Sequence, residues 1–149
     1  MRKALLGCAI LVAAVVVPQW VYSHCQVPCG IYDDYARIER MREDATTVGK
    51  AITEINALAG KTDAKSANQL ARWVVNKESH AENIIGTIAN YYLTQRVKPD
   101  ASDYAKRLQA HHAVMIAAMK AKQDANPATV SALTGAIEAI AAYYPKHDH

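Results

Sequence analysis

The sequence predicts an all-α protein, an antiparallel up-down-up-down four-helix bundle with an irregular segment before it. Glycine and proline are scarce, at 6 and 5 of 149 residues, which disfavours a turn-rich β-sandwich. Hydrophobic residues make up 51% of the chain and recur every three or four positions in four segments. The connections between these segments are short, and short connections favour antiparallel neighbours. One domain is the expectation for this length.

The first two periodic segments are predicted to form the first helical pair. The first extends from Ile31 to about Gly60, with Ile31, Ile38, Ala45, Ile52 and Ala59 on one line and Met41, Val48 and Ile55 beside it. Gly60 is a stop signal, and Asp63 or Ser66 can cap the next helix. That helix carries Leu70, Trp73, Val74, Ala81, Ile84, Ile85, Ile88, Tyr91 and Tyr92 and ends before Pro99.

The last two segments complete the predicted bundle, which spans residues 33–144 and leaves 145–149 as a flexible tail. The third helix covers residues 102–122, with Tyr104, Leu108, Met115, Ala118 and Met119 on its apolar side. Asn126 followed by Pro127 is a strong start signal for the fourth helix. Its repeating apolar positions are Val130, Leu133, Ile137, Ile140 and Tyr144.

Residues 1–23 have the pattern of a secretory signal peptide. Arg2 and Lys3 precede an apolar run over residues 4–17, which is shorter than the roughly 20 residues of a membrane span. Cleavage is expected between Ser23 and His24, which predicts export to a periplasmic or extracellular location with no stable membrane association afterwards. An uncleaved signal anchor is the alternative.

The charge balance beyond the leader gives no reason to expect a polyanionic partner. From His24 onward there are 15 basic and 14 acidic residues, a formal net charge of +1. Neither nucleic acid nor a membrane surface is therefore predicted as a partner.

Two cysteines remain after the leader, which would remove Cys8. Cys25 and Cys29 lie next to the predicted new N-terminus, beside His24. A disulfide is one interpretation, although so short a loop would constrain little chain. A metal site is the other, because a free amine, an imidazole, an amide and two thiolates suit square-planar nickel or copper better than tetrahedral zinc. Pro28 and Gly30 restrict and turn this loop.

The pattern His24-Cys25-x-x-Pro28-Cys29-Gly30-x-Tyr32 resembles the nickel-hook motif of nickel-containing superoxide dismutases. We call residues 24–32 the hook. The resemblance implies that nickel is bound by the amine and imidazole of His24, the amide and thiolate of Cys25, and the thiolate of Cys29. It also implies that Tyr32 orders solvent and small anions near the metal. Gln26 replaces the aspartate expected at the third position.

Two residues beyond the hook resemble family residues that support it. Glu39, in Arg37-Ile38-Glu39, resembles a glutamate that hydrogen-bonds the hook histidine, and Arg72 resembles an arginine that supports that glutamate. The match is looser here, since this chain is one residue shorter between the hook and Glu39. Taken alone, both would be read as solvated charges on helix surfaces.

The resemblance implies a superoxide dismutase, which converts superoxide to dioxygen and hydrogen peroxide by Ni(II)/Ni(III) cycling. It also implies a homo-oligomer, a hexamer in the family. Two alternatives remain open at this point. One is an exported nickel or copper carrier without turnover, and the other is a helical interaction protein with a Cys25–Cys29 disulfide.

The other histidines are predicted to be structural. His111 and His112 are adjacent and so point to different sides of a helix, which prevents them from sharing one ion. His80 is expected at the surface, and His147 and His149 belong to the tail.

Overall fold

The computed structural model describes residues 33–146 and confirms the predicted all-α class. Four α-helices are present in this part of the chain: α1 Asp34–Leu58, α2 Ala64–Thr87, α3 Tyr104–Gln123 and α4 Pro127–Ala141. A π-helical segment, Ile88–Arg96, continues α2 before the connection to α3. Residues 33–146 contain no β-strand.

The helices form a ring in which each lies antiparallel to its neighbours, as predicted. Asp44 of α1 contacts His80 of α2, and Lys50, further along α1, approaches the ring of Trp73, earlier in α2. The ring of helices closes between α1 and α4, where Arg42 binds Glu138. At the other end of α1, the Asn56 amide donates to the carbonyl of Ala125 at 2.9 Å, which fixes the opposite direction of α4.

Side-chain caps begin three of the four helices. The caps of α2 and α4 are at predicted positions, whereas the Asp33 cap of α1 was not named from the sequence, which started that helix at Ile31. The carboxylates of Asp33 and Asp63 accept the backbone N–H groups of Ala36 and Ser66, and the Asn126 side chain accepts that of Ala128. Each bond satisfies a donor that the first helical turn leaves without a backbone partner. Gly60 follows α1 with φ of +81°, a conformation that glycine adopts without steric cost.

The core lies on the bundle axis and follows the predicted apolar stripes in α1 and α4. In α3 the predicted side is wrong in part, because Leu108 and Met119 are each 39% exposed. The buried stripe of α3 consists of His111, Val114, Ala117, Ala118 and Ala121. Small residues face inward here because α3 contacts both α2 and α4, and alanines let these helices approach closely.

Lys77 stabilises the end of α3 from within the bundle. Its ammonium donates to the carbonyls of Ala121 at 2.9 Å and Asp124 at 3.3 Å, and also to that of Lys122. These carbonyls lack partners within the helix, and a cation there also opposes the negative end of the helix dipole. Lys77 is the buried charge that the sequence pattern did not distinguish from a surface lysine.

No helix among residues 33–146 is long and apolar enough to cross a membrane. Pro145 and Lys146 are exposed and outside any helix. The flexible tail over residues 145–149 stays a prediction, and its last three residues lie outside the described part of the chain.

Candidate metal centre

The predicted metal ligands lie outside the residues that the structure describes. The predicted ligands are His24, Cys25 and Cys29. The other hook residues named from the sequence, Pro28, Gly30 and Tyr32, lie outside the described residues as well, as do the leader and the tail histidines. The hook is nevertheless bonded to a described residue, because Tyr32 precedes Asp33, the N-cap of α1. We call the end of the bundle where α1 begins the hook end.

Asp34 fastens the first turn of α1 to the π-helical segment at the hook end. Its carboxylate accepts from Arg96 Nε at 2.7 Å and from the Tyr91 hydroxyl, and its backbone carbonyl accepts from the Tyr92 hydroxyl at 2.7 Å. The Arg37 guanidinium stacks 4.0 Å from the centre of the Tyr91 ring. Asp34, which follows the N-cap of α1, is thus held by side chains about 60 positions away in the sequence.

The π-helical geometry explains how two consecutive tyrosines both reach Asp34. Backbone N–H of Val97 donates to the carbonyl of Tyr92, and the Thr94 hydroxyl donates to that of Ala89, both across five residues. The wider turn carries Tyr91 and Tyr92 into the bundle together, and both are buried. Short π-helical stretches of this kind are frequent at functional sites.

Glu39 is held at the surface of α1 by two neighbours. Hydrogen bonds from Tyr35 and from Arg42 lower the pKa of this carboxyl below its ordinary value, so it is ionised near neutral pH. Arg42 also binds both oxygens of Glu138, at 2.7 and 2.6 Å. The arginine therefore links Glu39 to α4. Its spacing of three residues from Glu39 is a signal that the sequence interpretation missed.

Arg72 lies far from Glu39 within the chain. The contact of Asp44 with His80 sets the register of α1 and α2. Glu39 is five residues before Asp44, whereas Arg72 is eight residues before His80, and the helices are antiparallel. At 1.5 Å per residue the two side chains are about 20 Å apart along the bundle. This geometry does not bring Arg72 to Glu39 within one chain. Support of Glu39 by Arg72 therefore stays a prediction.

The described histidines have separate environments, as their sequence positions predict. His111 is fully buried and His112 is exposed, on opposite sides of α3. His80 is half-buried rather than a free surface residue, since its Nδ1 lies 2.6 Å from an Asp44 oxygen. It lines an open groove of about 760 Å³ between α1 and α2, together with Arg37 and Arg40.

The helices themselves offer no alternative metal site. Among residues 33–146, no three histidine, cysteine, aspartate or glutamate side chains come together as ligands. All cysteines lie outside this range, so thiolate ligands can come only from the N-terminal part of the chain. A donor set of two thiolates with nitrogen ligands fits nickel by its chemistry.

A helical bundle that is joined at one end to a segment with two cysteines and a histidine fits the class of small metalloproteins. The family model described as nickel-containing superoxide dismutase matches residues 19–148. The chain therefore belongs to the nickel-containing superoxide dismutase family, whose members are oxidoreductases with a nickel cofactor. Comparisons with curated proteins and with solved structures gave no match.

Proposed function

We propose that this protein converts superoxide to dioxygen and hydrogen peroxide at a nickel ion held by His24, Cys25 and Cys29. The observation that carries the proposal is a family match that covers both the hook and the whole bundle. When bound, nickel supplies a one-electron redox couple between its divalent and trivalent states. Thiolate and amidate ligands favour this couple because anionic donors stabilise the higher oxidation state.

The bundle contributes a fixed support for the hook. Asp34, bound to Arg96 and Tyr91, keeps the first turn of α1 in place and so fixes the residue next to Asp33, to which Tyr32 is bonded. Glu39 lies on the second turn of α1 as an ionised hydrogen-bond acceptor, and its proposed partner is the imidazole of His24. Such supporting contacts orient metal ligands and tune their basicity. Tyr32 is proposed to order water and the anionic substrate beside the metal.

Processing is part of the proposal, because the amine of His24 exists only after cleavage. We propose export and cleavage between Ser23 and His24. N-terminal sequencing and nickel analysis of the native protein test both points together. An active nickel protein that retains even one residue before His24 would contradict the assignment of the amine as a ligand.

The thiolates are tested by Cys25→Ser and Cys29→Ser, with Gln26→Ala as a control, because Gln26 lies in the hook of the mature protein and is not assigned as a ligand. Each cysteine variant is expected to lose superoxide consumption, measured by pulse radiolysis, while helix content by circular dichroism remains that of the unsubstituted protein. Nickel-dependent turnover in either cysteine variant would contradict the hook. Unsubstituted protein that holds nickel but consumes no superoxide would instead be a carrier.

Arg42 and Arg72 form a matched pair for testing the support of Glu39. Because Arg42 contacts Glu39 directly, Arg42→Gln is expected to lower activity or nickel affinity about tenfold, the lower end of the usual effect for such supporting residues. Arg72→Gln is expected to have little effect, because Arg72 lies about 20 Å from Glu39 along the bundle of one chain. A loss confined to Arg72→Gln would assign the supporting role to Arg72 and place its contact between subunits.

The family resemblance supports a homo-oligomer, and we propose a hexamer. Sedimentation equilibrium of the nickel-loaded protein measures the subunit number. A monomer at every concentration would contradict the proposed hexamer.

A further inference from the structure

The hook end of the bundle contains an aromatic cluster made of residues from three parts of the chain. Its members are Tyr91, Tyr92, His111, Tyr143 and Tyr144. The ring centres of Tyr91 and Tyr92 are 5.1 Å apart, and those of Tyr92 and Tyr144 are 4.5 Å apart. Rings at these separations are in direct contact. The cluster therefore connects Tyr91, which binds Asp34 at the start of α1, to Tyr144 by two ring-to-ring contacts.

Tyr144 and His111 form a buried hydrogen-bonded pair within this cluster. The Tyr144 oxygen lies 2.9 Å from His111 Nε2, and the two residues are 5% and 0% exposed. His111 Nδ1 is 2.7 Å from the carbonyl of Arg107, which can only accept a hydrogen bond. The Nδ1 atom therefore carries the proton, and Nε2 presents a lone pair. Consequently Tyr144 is the donor and His111 the acceptor.

Both members of the pair are neutral at rest. Burial raises the pKa of the Tyr144 hydroxyl and lowers the pKa of His111. The charged groups that act on Tyr144 are Arg107 of α3, Asp34 of α1 and Arg96 of the π-helical segment. A neutral phenol that donates to a neutral imidazole has a proton acceptor already in contact with it.

We propose that Tyr144 and His111 form a proton-coupled redox site that accepts oxidising equivalents from the hook end. The oxidant is a hydroxyl radical, formed when a reduced transition-metal ion gives one electron to hydrogen peroxide, which splits into a hydroxyl radical and hydroxide as the metal ion is oxidised by one electron. Tyr144 gives one electron, which reduces the hydroxyl radical to hydroxide, and its phenolic proton moves to His111 Nε2. The products are a neutral tyrosyl radical and an imidazolium.

His111 is what makes this oxidation possible inside the bundle. A phenol that loses an electron becomes a strong acid, and the Nε2 lone pair of His111, 2.9 Å from the Tyr144 oxygen, is a base that can take its proton directly. The Tyr91 hydroxyl has a comparable acceptor in the Asp34 carboxylate. Tyr92, between them, donates to a backbone carbonyl, which is not a base. The arrangement favours Tyr91 as the entry point and Tyr144 as the residue where the radical rests.

The chemical benefit would lie in the hook. Cysteine thiolates are oxidised by peroxide-derived species to sulfenic and then irreversible acids. Transfer of the oxidising equivalent to a phenol spares Cys25 and Cys29, and the half-buried Tyr143, with its ring 6.4 Å from that of Tyr144, continues the path toward external reductants. The proposal depends on the proposed function only for the source of the peroxide.

The test exposes the nickel-loaded mature protein to hydrogen peroxide and measures tyrosyl radical by freeze-quench electron paramagnetic resonance. Tyr144→Phe is expected to lose most of the signal. The control Tyr104→Phe makes the same chemical change two turns away from His111 on α3 and is expected to keep it. His111→Gln, which retains an acceptor but no basic nitrogen, is expected to slow radical formation roughly 100-fold, as for loss of a positioned base.

A second measurement needs no variant and locates the radical directly. A nitroso spin trap followed by peptide mass spectrometry is expected to label Tyr144 in the unsubstituted protein. A label on other tyrosines alone, or a full signal in Tyr144→Phe, would overturn the proposal.

A ruthenium photo-oxidant in place of peroxide separates this inference from the proposed function. Flash oxidation is expected to give the same Tyr144 radical. If it does so in protein that consumes no superoxide, the redox pair stands and the proposed function fails. If an active enzyme yields the radical with the photo-oxidant but not with peroxide, the proposed role toward peroxide is wrong.

Discussion

Replacement of Lys77 by methionine tests how α3 is terminated. The side chain is 6% exposed, and its ammonium donates to the carbonyls of Ala121, Lys122 and Asp124 while also contacting Glu78 at 3.2 Å. Lys77→Met keeps the apolar stem and removes these donors. The carbonyls at the end of α3 would then have to be satisfied by water in a partly buried place.

The expected loss follows from two overlapping contributions. Hydrogen bonds that involve a charged group contribute about 1.5–3 kcal/mol, and a cation at a partly buried helix C-terminus contributes up to about 2 kcal/mol. Because both describe the same ammonium, they are not added, and the free energy of unfolding is expected to fall by about 2–3 kcal/mol. That is a large fraction of the roughly 5–15 kcal/mol of a typical domain.

Urea unfolding followed by circular dichroism, at equal protein concentration, measures this change. Lys61→Met is the matched control, since Lys61 is exposed in the connection between α1 and α2, and its effect is expected within about 0.5 kcal/mol. The slope against urea should not change, because the same surface is exposed on unfolding. Equal stability of the two variants would refute the reasoning that Lys77 terminates α3.

Two further predictions concern backbone geometry and pH. Gly60→Ala is expected to destabilise by about 1 kcal/mol, because φ is +81°, whereas Gly135→Ala, at an open position within α4, is expected to stabilise by about 0.5–1 kcal/mol. Thermal melts of both variants check the opposite signs, and a shift in the same direction would contradict the argument. The lowered pKa of His111 means that the unfolded chain binds the proton more readily, so stability from this group is complete above the unfolded pKa of about 6.5 and is lost as pH falls below it. Denaturant titrations of the unsubstituted protein and His111→Asn between about pH 7 and pH 5 check this, and an equal slope in both would contradict it.

The sequence predicted the helices better than the faces they bury. Caps such as Asp33, Asp63 and Asn126 depend on bonds to residues two or three positions away, and local order alone specifies them. The inward face of α3 was harder to predict, because alanines and one histidine carry it while Leu108 and Met119 face outward. A prediction from hydrophobicity gives the most weight to large apolar side chains. The contacts of α3 with both α2 and α4 instead favour small side chains on its buried face.

The sequence by itself determined the helical class, the starts of α2 and α4 and the hook motif, since each depends on residues close together in the chain. Tertiary structure decided which charges meet. It joined Arg42 of α1 to Glu138 of α4 and carried Arg72 to another level of the bundle than Glu39. It also placed Lys77 against the end of α3 and Tyr144 against His111. The last two contacts join residues more than 30 positions apart, and their energy depends on helix register and burial, which only the packed bundle fixes.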